Sequence, residues 1–363
     1  MMKIAYFISP HGFGHAARAI SVMSAIHQKD PNLQLEIYTQ VPPWFFEESY
    51  PGNFQYHSLL TDIGLVQKTS LHENISDTLE ALNQFYPLDD QLIDQLASQL
   101  QSAKCDLVLC DIAPIGILAA KHAGIPSILI ENFTWDWIYE GYRHHQKEFK
   151  PHIAYLKKIF ESVDYHIQAH PVCHIDEEYL AVNPISREPV TSPEKIRKKL
   201  HIPAGMPFVL ITMGGIAEKF PFLEKLYKQQ DIYFVIPGGA QTAQNKKNVI
   251  LLAHKTGFYH PDLVHASDLV IGKLGYSTLA EVYYAGVTYG FVTREHFRES
   301  KELTRYVQKE MPSFSLNEDA FYQGDWAAFL SASLNKGRVQ KDVVNGAQQI
   351  ANFIWRLFVS SVS

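Results

Sequence analysis

The segment HGFGHAAR (11–18) places two histidines and two glycines at the first predicted strand-to-helix turn. An apolar run typical of a buried strand precedes it, and a helix is predicted to begin within it, at residue 16, and to extend to residue 29. Gly12 and Gly14 allow the backbone to turn tightly and to approach a ligand. His15 is a candidate general base, with a helix cap as the alternative role. We expect Arg18, one turn further on, either to hold a phosphate or to brace the loop.

A second glycine turn, GKLGYSTLAE (272–281), lies between a predicted strand and a predicted helix. Glycine lets backbone N–H groups come close to a ligand, and hydroxyls at a helix N-terminus bind oxyanions. Lysine adds a full positive charge, and a carboxylate one turn into the helix can accept two ribose hydroxyls. These features predict a diphosphate-plus-ribose site. The candidate residues are Gly272, Lys273, Gly275, Ser277, Thr278 and Glu281. The alternative is a structural turn in which Ser277 is the N-cap and Glu281 completes a capping box.

Asp111 ends the predicted strand DLVLCD, at the edge of a parallel sheet where ligands bind. It orients His15 or accepts a proton from an acceptor hydroxyl, or, as the alternative, it caps the helix that follows. His11 and His15 are separated by glycines and have no obvious third ligand, so the sequence predicts no metal site.

Strand and helix signals alternate along both halves of the chain, and this pattern predicts parallel sheets covered by helices. A stretch rich in proline and hydroxyl residues separates the halves. We therefore predict an α/β protein with two Rossmann-like, doubly wound domains that face each other across a cleft. The predicted parts are a first domain (1–182), a linker (183–195), a second domain (196–345) and a C-terminal helix (346–363) that crosses back to the first domain.

The composition excludes several classes of protein. The 363 residues carry a formal net charge of -6, which argues against binding nucleic acid through phosphate neutralisation. Three widely spaced cysteines without a CxxC pair, and the lack of a signal-peptide pattern, indicate a cytoplasmic protein. No apolar run is long enough to span a membrane. The apolar positions of the C-terminal helix predict packing on the protein itself, with peripheral membrane contact as the alternative.

Five segments together resemble the GT-B glycosyltransferases, and in particular the amino-terminal, glycosyltransferase-like half of plant L-arabinokinase. The peptidoglycan-precursor N-acetylglucosaminyl transferases are similar more distantly. The segments lie in order over most of the chain: HGFGHAAR (11–18), LVLCDIAPIGILAAKHAGI (107–125), ENFTWDWIYEGY (131–142), GKLGYSTLAE (272–281) and REHFRESKELTRYV (294–307). The resemblance implies a GT-B fold and a nucleotide-sugar site. It does not imply sugar kinase activity, because the chain has no phosphate loop of the sugar-kinase type.

The resemblance also suggests roles for individual residues. A histidine in the first loop of inverting GT-B transferases faces the donor sugar, the role implied for His15, and a glycine pair like Gly214 and Gly215 lines the donor phosphates. The loop after a later strand usually carries an acidic residue and a glutamine that hold the sugar. This chain has Arg294 and Glu299 there, and the arginine either binds a phosphate or an acidic sugar, or pairs with Glu299 on the surface.

Taken with these residues, the resemblance implies an inverting, metal-independent glycosyltransferase of the hexosyl or N-acetylhexosaminyl type. It needs no cofactor, takes a nucleotide-diphospho sugar as donor, with a UDP-sugar expected, and acts on an unidentified acceptor. Two alternatives remain at this point: a nucleotide-sugar hydrolase of the same fold, in which the GxGHxxR pattern positions a water, and a module that binds a nucleotide sugar without chemistry.

Overall fold

A computed structural model describes residues 2–214, 219–253, 255, 257–334 and 337–358 of the chain. The first domain is built on a parallel sheet of seven strands in the order β3-β2-β1-β4-β5-β6-β7. The strands are β1 (Lys3–Ile8), β2 (Gln34–Thr39), β3 (Phe54–Ser58), β4 (Leu107–Asp111), β5 (Ser127–Glu131), β6 (Tyr165–Ala169) and β7 (Leu180–Val182). Its helices are α1 (Phe13–Lys29), α2 (Pro43–Ser49), α3 (Ile75–Phe85), α4 (Asp90–Ser102), α5 (Pro114–Ala123), α6 (Trp135–Tyr139) and α7 (Gln146–Phe160).

The second domain has a seven-stranded sheet in the order β10-β11-β9-β8-β12-β13-β14, parallel except for the β10–β11 pair. Its strands are β8 (Phe208–Thr212), β9 (Tyr233–Ile236), β10 (Gln244–Lys246), β11 (Val249–Leu251), β12 (Leu269–Lys273), β13 (Thr288–Val292) and β14 (Ser313–Leu316). The helices of this half are α8 (Pro193–Lys199), α9 (Leu223–Leu226), α10 (His260–Ala266), α11 (Tyr276–Ala285), α12 (Glu299–Glu310), α13 (Glu318–Gln323), α14 (Leu330–Leu334) and, last in the chain, α15 (Gly346–Phe358).

Apolar side chains on both faces of the central strands explain the layered architecture. All five residues of β4 and all five of β5 are buried, as expected for strands covered by helices on both sides. Strand order reverses next to β1 and next to β8, which creates a crevice at the carboxyl edge of each sheet. The two crevices face each other, so the turns after β1 and β12 meet.

Helix α1 begins three residues earlier than the predicted start at residue 16. Gly12 is its N-cap, with φ of 80°, a left-handed conformation that favours glycine. The early start places His15 inside the first turn of the helix, and its side chain is free to contact the neighbouring strand rather than to cap.

Helix α15 packs on the first domain, although it follows the second in sequence. Ala347, Ile350, Ala351 and Ile354 are buried in the same apolar cluster as α1. Its apolar face is therefore covered by the protein itself. None of the helices within the described residues is long and apolar enough to cross a membrane.

The segment between the domains is partly buried. Ile185, Ser186 and Arg187 are each less than a tenth exposed, and α8 begins at Pro193, inside the predicted linker. This segment is therefore packed against both domains and contributes side chains to the interior, which a simple spacer would not do.

Candidate functional site

A cavity of about 430 Å³ lies between the two domains, at the carboxyl edges of both sheets. Residues predicted from the sequence line it from both sides. The first domain supplies Gly12, Gly14, His15 and Arg18, and the second supplies Gly214, Lys273, Gly275, Ser277, Thr278, Glu281, Arg294 and Glu299. Asp111 lies behind His15 and is completely buried. Gly215 falls outside the described residues.

His15, Asp111 and Arg18 form a hydrogen-bonded cluster on the first-domain wall. Nδ1 of His15 lies 2.8 Å from Oδ1 of Asp111. Arg18 donates to both oxygens of the same carboxylate, from Nε at 2.7 Å and from Nη2 at 2.7 Å. Arg18 therefore braces the loop, and the cluster fixes the imidazole between a helix turn and the end of a strand.

The charge state of Asp111 determines the tautomer that we assign to His15. Burial alone would raise the pKa of Asp111, but the charge and hydrogen bonds of Arg18, together with His15, hold that pKa below its usual value. An ionised Asp111 accepts the Nδ1 proton, which leaves Nε2 of a neutral imidazole unprotonated. Helix α5 has Ala113 as its N-cap and no side-chain cap, so the alternative role of Asp111 as a helix cap is wrong.

Asn132 connects this cluster to the second domain. Its Oδ1 accepts a hydrogen bond from Nη1 of Arg18 at 2.6 Å, and its Nδ2 donates to Oε1 of Glu299 at 2.8 Å. Oε2 of Glu299 lies 3.5 Å from Nη2 of Arg294. Arg294 and Glu299 are 6% and 4% exposed, so the expectation that they pair on the surface is wrong: they pair in the interior, because the closed domains cover them.

The turn between β12 and α11 meets the first domain directly. Gly275 is the N-cap of α11, and Ser277 uses its hydroxyl to donate to the carbonyl oxygen of Gly14 at 2.8 Å. The alternative of a capping box with Ser277 as the N-cap is therefore wrong, because Gly275 holds that position. Nζ of Lys273 lies 3.4 Å from the position that a Cβ on Gly214 would occupy. The second-domain side of the cavity therefore has the features of an anion site: a lysine, a helix N-terminus and a glycine turn.

Gly272, which we expected to approach the ligand, instead serves the sheet. A Cβ at this position would lie 1.7 Å from the carbonyl oxygen of Thr212 on β8. Gly272 is not among the residues that line the cavity, and its small size permits the close pairing of β12 with β8.

The carboxylate of Glu281 already has two partners within the protein, Arg187 and His260, which the sequence did not indicate. Its Oε1 accepts hydrogen bonds from Nε and Nη2 of Arg187 at 3.0 and 2.8 Å, and its Oε2 lies 2.6 Å from Nδ1 of His260. Burial alone would raise the pKa of Glu281, but Arg187 and His260 hold it below its usual value. The guanidinium of Arg187 lies over the rings of Phe45 and Tyr259, at 5.3 and 5.1 Å. Glu281 is only 2% exposed, so the side chains of Arg187 and His260 form most of the cavity surface around it.

Sequence reasoning did not identify Asn132, Arg187 or His260. Asn132 lies in the aromatic-rich segment ENFTWDWIYEGY (131–142), whose Trp135 and Tyr139 are core residues. Arg187 lies in the predicted linker, where an isolated arginine among prolines gives no signal of burial. His260 opens α10, where Pro261 at the next position marks a helix start but not a partner for Glu281. Among the described residues, no group of three or more His, Cys, Asp and Glu side chains is arranged to hold a metal ion.

Comparison with solved structures identifies the architecture. The spinosyn forosaminyltransferase SpnP superposes with a TM-score of 0.60 and 15% identity, over 98% of this chain and 99% of that chain. MurG of Acinetobacter baumannii gives a TM-score of 0.57 and 15% identity, over 98% of this chain and all of that one (100%). The chain has the GT-B fold. The predicted fold, with two Rossmann-like domains across a cleft, is confirmed.

Two further findings describe the relatives of this GT-B chain. The glycosyltransferase VinC, solved in complex with dTDP, gives a TM-score of 0.60 at 12% identity, over 98% of this chain and 94% of that one. The L-arabinokinase of Arabidopsis thaliana is 26% identical over 364 residues, which are 97% of this chain but 34% of the plant protein. The chain thus spans about a third of that relative, in its N-terminal part, as the sequence resemblance indicated. No protein-family model matches the chain.

Proposed function

We propose that this protein transfers a sugar from a nucleotide-diphospho sugar to an acceptor hydroxyl, with inversion at the anomeric carbon and without a metal ion. One observation carries the proposal: His15, held by Asp111 behind it, and the N-terminus of α11 line one cavity from opposite domains. A base and an anion site that face each other in this way are the two parts that such a transfer requires.

The chemistry follows from the assigned tautomer. Nε2 of His15 takes the proton of the acceptor hydroxyl, and the oxygen attacks the anomeric carbon. A new carbon–oxygen bond forms on one face of the sugar while the bond to the diphosphate breaks on the other. Asp111 stabilises the imidazolium that results. The leaving diphosphate gains its charge beside Lys273 and the free N–H groups of α11.

The comparisons support a nucleotide-sugar donor in general terms. VinC, one of the similar structures, is described in complex with dTDP, and several other neighbours are described as glycosyltransferases. We propose UDP as the nucleotide and a hexosyl or N-acetylhexosaminyl group as the transferred sugar. The first experiment is thermal unfolding with UDP, GDP, dTDP, ADP and CMP, alone and as their common sugar derivatives. A ligand that binds only the folded protein raises the melting temperature, so the nucleotide that shifts it identifies the base.

The His15→Ala variant tests the role of the base. We expect it to bind the nucleotide as the unaltered protein does but to lose turnover by about 100-fold or more, since general base catalysis contributes about 10²–10⁴-fold. His122→Ala is the matched control, because His122 also pairs with an aspartate, Asp94 at 2.9 Å, but on the surface. Near-normal turnover in His15→Ala would contradict the proposed role.

Product analysis separates the two alternative functions. Sugar release without an acceptor would identify a hydrolase, in which water takes the place of the hydroxyl. Nucleotide binding without turnover for any acceptor or water would identify a binding module. Failure of every nucleotide to bind would leave the turn between β12 and α11 with a structural role only.

A further inference from the structure

Three buried arginines line the cavity within the described residues, and two of them have their charge satisfied. Arg18 donates hydrogen bonds to Asp111 and Asn132. Arg187 donates two to Glu281. A buried guanidinium requires such partners, because an unpaired charge removed from water costs a large free energy.

The third, Arg294, is different. It is 6% exposed and donates no hydrogen bond to any described residue. Its Nε is fully shielded and has no hydrogen-bond partner among the described residues, and the contact of its Nη2 with Glu299 spans 3.5 Å, beyond an ordinary hydrogen bond. Burial lowers the pKa of Arg294 below its usual value even though Glu299 opposes the shift. For Arg18, Asp111 outweighs burial and raises the pKa. Arg294 is therefore a buried cation whose positive charge is incompletely compensated by the described residues around it.

The surroundings of Arg294 place it near the proposed reacting end of the cavity. Its guanidinium lies 3.4 Å from the ring centre of Phe297, within cation–π distance. The ring of Phe297 lies 5.9 Å from that of Phe133, which in turn lies 6.1 Å from the ring of His15. His11 is affected as well: burial, and then the positive charges of Arg294 and Lys273, lower its pKa well below the usual value. Arg294 and Lys273 therefore both place positive charge near this end of the cavity.

The diphosphate has its own candidate partners in Lys273 and the N-terminus of α11, on a different turn of the sheet. Arg294 follows β13 instead, and the planar guanidinium fork fits a carboxylate in a bidentate manner. A neutral sugar would offer hydroxyl oxygens to the fork but no charge. We propose that Arg294 binds a carboxylate on the transferred sugar, so that the donor is a nucleotide-diphospho-uronic acid. This inference rests on the proposed function and adds the class of its donor.

The test compares three probes: UDP, UDP-glucose and UDP-glucuronate, with the base exchanged if the thermal screen selects another. We expect the unaltered protein to bind the uronate about tenfold or more tightly than the neutral hexose, since a hydrogen bond between two charged groups is stronger than one to a neutral hydroxyl. Arg294→Gln should remove that preference and leave the affinities for UDP and UDP-glucose within about threefold. Arg305→Gln is the control, because Arg305 is exposed and pairs with Glu302 on its own helix.

Each other outcome has a defined meaning. Equal binding of uronate and hexose by the unaltered protein would overturn the inference, and so would an equal loss of UDP affinity in Arg294→Gln, which would assign Arg294 to the diphosphate. Arg294→Lys retains the charge without the planar fork, and an intermediate preference in this variant supports the proposal if the glutamine variant fails to fold. If the unaltered protein binds no nucleotide, the proposed function itself is wrong. If it binds UDP without discriminating between the sugars, only the donor class is wrong.

Discussion

Two buried carboxyl groups behind the first turn have opposite environments. Asp111 has Arg18 beside it and is held ionised. Asp62 receives a hydrogen bond from Ser9 at 3.0 Å, but its Oδ2 has no partner among the described residues, and burial raises its pKa to about 8. The carboxylate of Asp111 therefore carries a negative charge beside His15, the candidate base. The carboxyl group of Asp62 is protonated and neutral at pH 7.

The Asp62→Asn variant tests this difference through the pH dependence of stability. The pKa of Asp62 is about 8 in the folded protein and near its usual value of 3.8 in the unfolded chain, so the folded state holds one more proton between those limits. The free energy of unfolding therefore decreases as the pH rises through this window, by up to about 1.4 kcal/mol per pH unit. An amide cannot ionise, so we expect the variant to lose less stability between pH 5 and pH 8, by on the order of 1–3 kcal/mol.

Denaturant unfolding at several pH values between 5 and 8 measures this effect. Asp94→Asn is the control, because Asp94 is largely exposed and pairs with His122 on the surface. Parallel stability curves for the unaltered protein and Asp62→Asn would show that Asp62 is ionised in the folded state, contrary to the prediction.

The residues of the site differ in how far the sequence predicts them. His15 and Asp111 are 96 positions apart, yet each lies at the carboxyl end of a strand or just after one. Parallel pairing of neighbouring strands brings such positions together. Arg187 and Glu281 are 94 positions apart, and no strand register relates them. Their pairing depends on the path of the segment between the domains, which residue types and spacing do not encode.

At the scale of elements, the strand β12 and the helix α11 form a unit with two glycines of different function. A Cβ on Gly275 would meet no atom of the described residues within 4 Å, whereas one on Gly272 would collide with the backbone of Thr212. Gly275 lines the cavity as the N-cap of α11. The open space at Gly275 is where we propose that a phosphate approaches the backbone.

We predict that Gly275→Ala leaves stability within about 1 kcal/mol and weakens nucleotide binding by about tenfold, because the methyl group occupies ligand space and not protein space. Gly272→Ala should instead lower the free energy of unfolding by on the order of 3 kcal/mol, because β8 and β12 must separate. Thermal unfolding with and without nucleotide measures both effects. Unchanged affinity in Gly275→Ala would show that the ligand does not approach this turn.

Most helices and strands follow from periodicity and turn residues, but their exact ends depend on glycine and proline. The sequence predicts one interrupted helix over 77–103, and the structure has two, α3 and α4, on either side of Pro87. Short edge strands such as β10 have no buried face, so the apolar pattern that identifies the central strands is missing there.

At the scale of the whole molecule, contacts between the two domains hold the cleft closed around the site. Arg298, the N-cap residue of α12, donates a hydrogen bond to the carbonyl oxygen of Trp137 and another to Glu140 at 3.0 Å. Its guanidinium also lies 4.0 Å from the centre of the Trp137 ring. Because Arg298 does not line the cavity, its contribution to ligand binding must act through the position of the domains.

The Arg298→Ala variant tests this coupling between closure and binding. A half-exposed ion pair and a cation–π contact together contribute about 1–2 kcal/mol to the closed state. We expect the variant to have a larger radius of gyration without nucleotide and an affinity for the identified nucleotide lower by about 5–30-fold, since closure must then be driven by the ligand. Small-angle scattering and calorimetry measure the two quantities. Arg305→Ala on the same helix is the control, because Arg305 contacts only Glu302 among the ion pairs of the described residues. Weaker binding without any change in the radius of gyration would contradict this argument, since it would mean that Arg298 acts locally rather than through closure.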